Sequence, residues 1–183
     1  MKRKVIYGLL IVAVLALSLY SGYVGSLEKA MDRAEINYNQ IVHTVGTENG
    51  TVVFYHWHDS LGVGLIDKSL FGYKWISGGG VEYDSSGDMS PGFINLGKSL
   101  EKGQERFIVP VAKDFISNKD IDKVQLIIND DQIIEPTIVS TDKIKFWYAI
   151  LDEPGGRARV IGYNSDNDIV FDTKPELGEK RIY

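Results

Sequence analysis

His43, His56 and His58 are the three histidines of this 183-residue chain, and all fall within one short stretch. Residues 41–47 and 51–58 are rich in Val, Thr and aromatic side chains, with Asn49-Gly50 between them. Asn-Gly flanked by such runs signals a hairpin, because both central residues of the tight turn need positive φ. A turn at Asn49-Gly50 pairs Glu48 with Thr51, sets His43 opposite His56, and leaves His58 two residues along the same face. Opposed Cβ atoms are then ~5 Å apart and diagonal ones ~7–8 Å. Three imidazoles so placed match a zinc site with an open fourth position, and so a metal-dependent enzyme. The plainer reading outweighs it. Val45 and Phe54 share that face while Val42, Val53, Tyr55 and Trp57 hold the other. Histidines on a solvated strand need no metal, and a one-residue bulge would split the set. No HExxH or comparable spacing supports the cluster.

Other groupings carry less. Asn164-Ser165-Asp166-Asn167-Asp168 opens like a calcium loop, but Ile169 stands where that loop requires Gly and Pro175 where it requires Glu. A hairpin tip explains the same residues. Gly78-Gly79-Gly80 could offer N–H groups to a phosphate, yet no Lys-Ser/Thr follows and Val81-Glu82-Tyr83 reads as strand. Ser86 and Ser99 lack a nucleophile-elbow context. The acid pairs Asp130-Asp131 and Asp152-Glu153 sit in predicted turns, where solvated charge is expected. Trp57, Trp75 and Trp147 with Tyr55, Tyr73 and Tyr148 could stack on sugar rings, though aromatics in alternating strands are more often core. No catalytic residue and no cofactor other than zinc is indicated.

The elements that would position these groups are mainly strands. Residues 41–47, 51–58, 61–67 and 71–77 read as an antiparallel meander that Gly78-Gly79-Gly80 ends. From there to Gly103 the chain is rich in Gly, Ser and Asp, an irregular linker. Residues 106–112 make a strand that Pro110 places at an edge, and residues 113–122 have room for a helical turn. Residues 124–129 and 133–139 flank a turn at Asp130-Asp131-Gln132. Residues 144–151 are apolar on nearly both faces, which predicts a central strand covered on two sides. Residues 160–163 and 169–172 form a last hairpin. The expected fold is mainly β: an N-terminal transmembrane or stalk helix, an antiparallel meander, then a small β-sandwich-like unit. The corresponding segments are 1–27, 28–41, 42–103 (meander plus linker) and 104–183.

The chain also carries an address. Lys2, Arg3 and Lys4 precede an uncharged, largely apolar run from Val5 to Leu27. At 1.5 Å per residue such a run spans roughly the ~30 Å hydrocarbon core, and clustered Lys/Arg stay on the cytoplasmic side. Val24 and Ser26 fit a signal-peptidase site, which would release a secreted protein. The length, with Tyr20 and Tyr23 where an interfacial belt would lie, favours an uncleaved single-pass anchor. Leu27, Ala30, Met31, Ala34, Tyr38 and Ile41 continue a helical stripe into a stalk. Four residues would remain inside the cell, and the C-terminal part would lie outside the cytoplasm.

Composition narrows the partners. Without the three basic residues of the tip, 17 Lys and Arg face 25 Asp and Glu, a net charge of −8. That acidic surface argues against nucleic acid and against adhesion to anionic lipid headgroups. The absence of Cys removes thiol catalysis, thiolate metal sites, redox roles and a lipidated-cysteine anchor.

Val53-Phe54-Tyr55, Asp59-Ser60-Leu61-Gly62-Val63-Gly64-Leu65-Ile66, Leu70-Phe71-Gly72-Tyr73-Lys74-Trp75 and Ser77-Gly78-Gly79-Gly80 carry a resemblance. The chain resembles uncharacterised membrane-anchored or secreted cell-envelope proteins of spore-forming bacteria, a group with no established activity. The likeness covers mainly residues 41–83, with a fainter echo around Gly162–Phe171, and excludes the histidines. It implies a bacterial envelope protein and supplies no ligand. The expectation is a membrane-anchored, extracytoplasmic, non-catalytic module of the cell envelope, either binding an envelope protein or wall component or serving as a structural accessory protein. The alternative is a metal-dependent envelope enzyme using His43, His56 and His58.

Overall fold

A computed structural model describes residues 22–58, 60–82, 92–97, 108–116, 120–152 and 157–173. A short helix, α1 (Leu27–Arg33), precedes twelve strands. The first sheet is the meander β1 (Gln40–Thr47), β2 (Gly50–Trp57), β3 (Ser60–Ser69) and β4 (Gly72–Glu82), in that order. Then come β5 (Gly92–Gly97), β6 (Ile108–Phe115), β7 (Lys123–Ile128), β8 (Gln132–Ile134), β9 (Thr137–Ser140), β10 (Lys145–Ile150), β11 (Ala158–Tyr163) and β12 (Ile169–Asp172). They build a middle sheet, β5-β6-β10-β9, and a third sheet, β12-β11-β7-β8. Successive hairpins therefore alternate between the two, as in a sandwich.

The middle sheet is covered on both faces. Phe146 and Tyr148 of β10, with Leu96 and Val111, pack against Val52, Phe54, Leu61, Val63 and Leu65 of the first sheet. Trp147 and Ala149, pointing the other way, pack with Ala112 against Val124, Leu126, Ile128 and Val160 of the third. This is the two-sided strand that the sequence predicts for residues 144–151. Phe54 alone meets the rings of Tyr148 and Phe146 at 4.6 and 5.5 Å between centroids, each such pair adding ~0.5–1.5 kcal/mol beyond area burial. The Trp147 indole N–H is buried with no hydrogen-bond partner among the described residues, which costs about 1–3 kcal/mol.

Two prolines behave differently from expectation. β6 is not an edge strand: it pairs with both β5 and β10. Pro110 is tolerated because β10 ends opposite Val111, so at Pro110 only β5 is alongside. Residues 133–139 are not one strand either. Pro136 interrupts them, and the chain steps from β8 in the third sheet to β9 in the middle sheet. The region read as irregular linker contains β5, which pairs with β6. Of the helical turn expected in 113–122, residues 113–115 continue β6 and residues 117–119 lie outside the described set.

On its outer face the first sheet carries α1. Ser26 caps the helix, its Oγ accepting from the Lys29 N–H at 3.3 Å. Ala30 and Met31 bury against Val53, Tyr55 and Ile66. The helix is shorter than the stripe over 28–41 predicts. It ends at Arg33, where the Glu35 N–H donates to Asp32 O and the Ile36 N–H to Met31 O. This is a Schellman closure, and Glu35 takes the left-handed position with φ 57°. Residues 1–21, which hold most of the expected membrane segment, lie outside the described residues. Among those described, no helix is long and apolar enough to cross a membrane.

Gly78-Gly79-Gly80 does not end the meander but continues β4, because it pairs with Gly64, Val63 and Gly62 of β3. Glycine is needed here for space. A Cβ on Gly64 would lie 1.9 Å, and one on Gly78 2.4 Å, from the Trp75 ring; one on Gly62 would lie 2.2 Å from the Tyr55 ring. The aromatic side chains thus lie flat over a floor of bare backbone. Gly64→Ala is expected to displace Trp75 and destabilise the fold by about 1–3 kcal/mol, measured by thermal unfolding. Gly80→Ala, whose Cβ would meet only Gly62 Cα at 3.9 Å, should unfold within about 0.5 kcal/mol of the parent.

Candidate functional site

The same glycines leave a cleft. Across three strands, Tyr55, Gly62 and Gly80 form one cross-strand row on the outer face. Only Tyr55 contributes a side chain to it. In the neighbouring row Val53, Gly64 and Gly78 are roofed by Trp75, but among the described residues nothing roofs Gly80 to the same degree. The resulting hollow of about 340 Å³ is lined by Glu35, Ile36, Asn37, Tyr55, Trp57, Ser60, Gly62 and Gly80. That volume lies at the low end of the ~300–1,000 Å³ typical of small-ligand sites.

Its walls come from three places in the chain. The turn that closes α1 supplies Glu35, Ile36 and Asn37, and is fixed in place by hydrogen bonds around Asn39. Asn39 N–H donates to His56 O at 2.7 Å, and its Oδ1 accepts from the His58 N–H at 2.7 Å. Strand β2 supplies Tyr55, pinned over Gly62 and edge-on to Trp75 at 6.2 Å. It also supplies Trp57, which remains 42% exposed at the rim. Strand β3 supplies the Ser60 hydroxyl. Burial raises the Tyr55 pKa above its usual value, so its hydroxyl stays protonated, and able to donate a hydrogen bond, further into the alkaline range than a free tyrosine. The residues around the hollow thus bring together an indole, a phenol, a carboxylate, an amide and a hydroxyl beside a backbone bare at Gly80. Such a set suits a flat ring carrying hydroxyl or amide groups.

The predicted metal site takes another form. The hairpin turns at Glu48-Asn49, with Thr47 opposite Gly50, so Glu48 does not pair with Thr51. Thr47 Oγ1 receives the Asn49 N–H at 3.2 Å, and Gly50, at φ 135°, follows the turn. A bulge between Ile41 and His43 shifts the register again. His43 then faces Phe54, and His56 faces Gln40 and Leu61. Both rings lie on the inner side of the first sheet, but not opposite one another. His58 leaves the ladder with φ 48° and sets its ring 5.3 Å from Trp57. Among the described residues, no group of three or more His, Asp or Glu could hold a metal ion. His43 Nε2 instead lies 3.0 Å from Tyr148 Oη.

The calcium-like loop is a backbone device as well. Asn164 Oδ1 accepts from the N–H groups of Asp166 and Asp168 at 3.0 and 2.8 Å, closing the β11–β12 turn. Of the six aromatics considered for stacking, Trp147 and Tyr148 are core and Tyr73 and Trp75 pack against the outer face of the first sheet. Tyr55 and Trp57 remain in the cleft. The sequence reading missed Glu35, Asn37, Ser60, Gly62 and Gly80. The available signal was the Gly-x-Gly of β3 beside the Gly triplet of β4, once those strands are known to pair.

A buried ionisable group lies on the inner face instead. Lys113 is 1% exposed, and its Nζ donates to Leu61 O at 2.5 Å. Burial lowers its pKa to about 8, with Asp114 pulling the other way. Protonated lysine is thus penalised in the fold. The penalty, about 3 kcal/mol, is complete below pH 8 and vanishes as pH rises toward 10.5, where the unfolded chain also loses the proton. Lys113→Met is expected to raise thermal stability at pH 7 by about 1–3 kcal/mol after losing one hydrogen bond. That advantage should shrink between pH 8 and 9.5, and identical pH slopes for parent and variant would contradict it. His43 is likewise depressed by burial, so its share of stability is present above the unfolded value near 6.5 and lost as pH falls through its folded pKa.

No family model matches the chain, and neither a curated protein nor a solved structure is similar to it.

Proposed function

We propose that this chain is a membrane-anchored, extracytoplasmic binding module of the bacterial cell envelope. In this reading the outer-face cleft takes a saccharide ring of a wall component without transforming it. The observation that carries the reading is the exposed Trp57 beside Tyr55, whose ring covers Gly62, next to the bare backbone of Gly80, with Glu35, Asn37 and Ser60 lining the same hollow. An indole face covers the apolar side of a sugar ring, and the surrounding polar groups can satisfy its hydroxyls. Lys113 and His43 lie on the inner face, across the sheet from the cleft, which favours binding over acid–base chemistry at this place. Placement outside the cytoplasm is supported by the basic tip and the charge-free run that follows it.

Glu35 fits the same reading. A non-glycine residue held at φ 57° costs about 1 kcal/mol relative to Gly at this position, and that cost is consistent with a carboxylate kept for contact with a ligand. Glu35→Gly should raise thermal stability by up to about 1 kcal/mol while weakening ligand binding.

The direct test titrates the full-length protein, in a detergent without a sugar headgroup, with soluble muropeptides and follows tryptophan fluorescence. Saturable change is expected for the parent. Trp57→Ala should lose at least about tenfold in affinity, or ~1.4 kcal/mol. Gly80→Leu, whose Cβ meets only Gly62 Cα at 3.9 Å and whose side chain fills the open end of the row, should abolish the response while unfolding at a similar temperature. Equal binding by the parent and Gly80→Leu would overturn the assignment of the cleft.

A further inference from the structure

The two central residues of the β3–β4 turn are Leu70 and Phe71, flanked by the last pair, Ser69 and Gly72. Tight hairpin turns favour Asn, Asp and Gly, whose φ they can meet and whose polarity suits water. Here Leu70 is 100% exposed, and Phe71, its ring edge-on to Tyr23, is still 46% exposed. A fully exposed Leu beside a large aromatic at a protruding tip is unfavourable in water and calls for an apolar partner.

The surroundings say which. The chain arriving from the N-terminal run is tied to this tip. Val24 N–H donates to Tyr73 O at 2.9 Å, and Tyr73 N–H returns to Val24 O at 2.8 Å. Gly72, at φ 115°, admits that crossing, since a Cβ there would lie 2.3 Å from Val24 O. Tyr23 Oη donates to Asp67 at 2.6 Å, and its ring stands edge-on to Phe71 at 6.4 Å. Lys74 Nζ lies over the Tyr23 ring and Lys68 Nζ over the Tyr73 ring, each at 5.8 Å. Tyrosines and lysines around an apolar tip are the composition of a membrane interface, with rings at headgroup level and ammonium groups reaching the phosphates. The charge-free stretch of the sequence runs from Val5 to Leu27, so it passes through this point.

We propose that the Leu70–Phe71 tip is a lipid-contacting wedge. It seats in the headgroup–acyl boundary of the bilayer that the N-terminal run crosses, with Lys68 and Lys74 facing lipid phosphates. The proposal rests on the anchored reading of that run. Its consequence is orientation: two attachments, the run and the tip, hold the first sheet at a fixed attitude to the membrane, where a single tether would let the module swing.

The chain has no Cys, so single labels report cleanly. Leu70→Cys, Leu15→Cys and Ile133→Cys variants of the full-length protein would carry an environment-sensitive NBD label. Each would be reconstituted into phosphatidylcholine–phosphatidylglycerol vesicles containing shallow or deep doxyl quenchers. The label at Leu70 is expected ~5–10 Å into the headgroup–acyl boundary, that at Leu15 deep in the bilayer, and that at Ile133, which is 62% exposed on β8, in water. A deep Leu15 label with a Leu70 label as unquenched as Ile133 would overturn the wedge and leave the anchor standing. A Leu70 label that is blue-shifted but unquenched by lipid would assign the tip to a protein partner, and also overturn the wedge. Absence of quenching at both Leu15 and Leu70 would overturn the anchor and the wedge together.

Discussion

The structure depends on burying one sheet on both of its faces. Strand β10 alternates Phe146 and Tyr148 toward the first sheet with Trp147 and Ala149 toward the third. Neither neighbouring layer can dispose of its apolar face without it. The middle sheet therefore fixes which side of the first sheet becomes core, and by exclusion which side is left for other uses. Val52, Phe54, Leu61, Val63 and Leu65 are committed inward. Among the described residues the outer face is left to a helix of seven residues, too short to cover four long strands.

The cleft follows from that shortage. α1 covers Val53, Tyr55 and Ile66 and stops at Arg33. Beyond it, Trp75 folds over Gly64 and Gly78 and Tyr55 over Gly62, while the described residues leave the row open at Gly80. A site made in this way needs no catalytic constellation. It needs side chains missing in register on adjacent strands, with aromatic rings at the margin. The polar groups inside the layers are a separate matter. Lys113 bonded to Leu61 O and His43 bonded to Tyr148 tie the first sheet to the middle one at specific points, giving directional contacts in an interface otherwise made of interchangeable hydrophobic packing.

Much of the strand order was legible because antiparallel hairpins are local. Four alternating runs between Ile41 and Ser77 gave the meander, which in the structure spans Gln40 to Glu82, and two apolar runs around Asn164–Asp168 gave the last hairpin. The two-faced apolarity of residues 144–151 was visible for the same reason. What misled was punctuation. Asn49-Gly50 suggested a turn one residue later than Glu48-Asn49, and a bulge near Val42 then altered the histidine register. Gly78-Gly79-Gly80 reads as a break in isolation and is a strand only because Gly62 and Gly64 lie opposite. Pro110 reads as an edge signal, yet it marks only the point where one of two neighbouring strands has ended.

Residue order alone determined the strand-rich class, the pairing of neighbouring strands, the absence of thiol chemistry and a charge-free N-terminal run long enough for a bilayer. These are set by period, composition and short-range turn geometry, which act within a few residues. Tertiary structure decided the rest: that hairpins alternate between two sheets, that Lys113 is interior, that Glu35 and Asn37 line one hollow with Trp57, and that Leu70 and Phe71 are exposed beside Tyr23. Each of these joins residues far apart in the chain, and depends on which faces the layers bury against one another, a choice that no local pattern encodes.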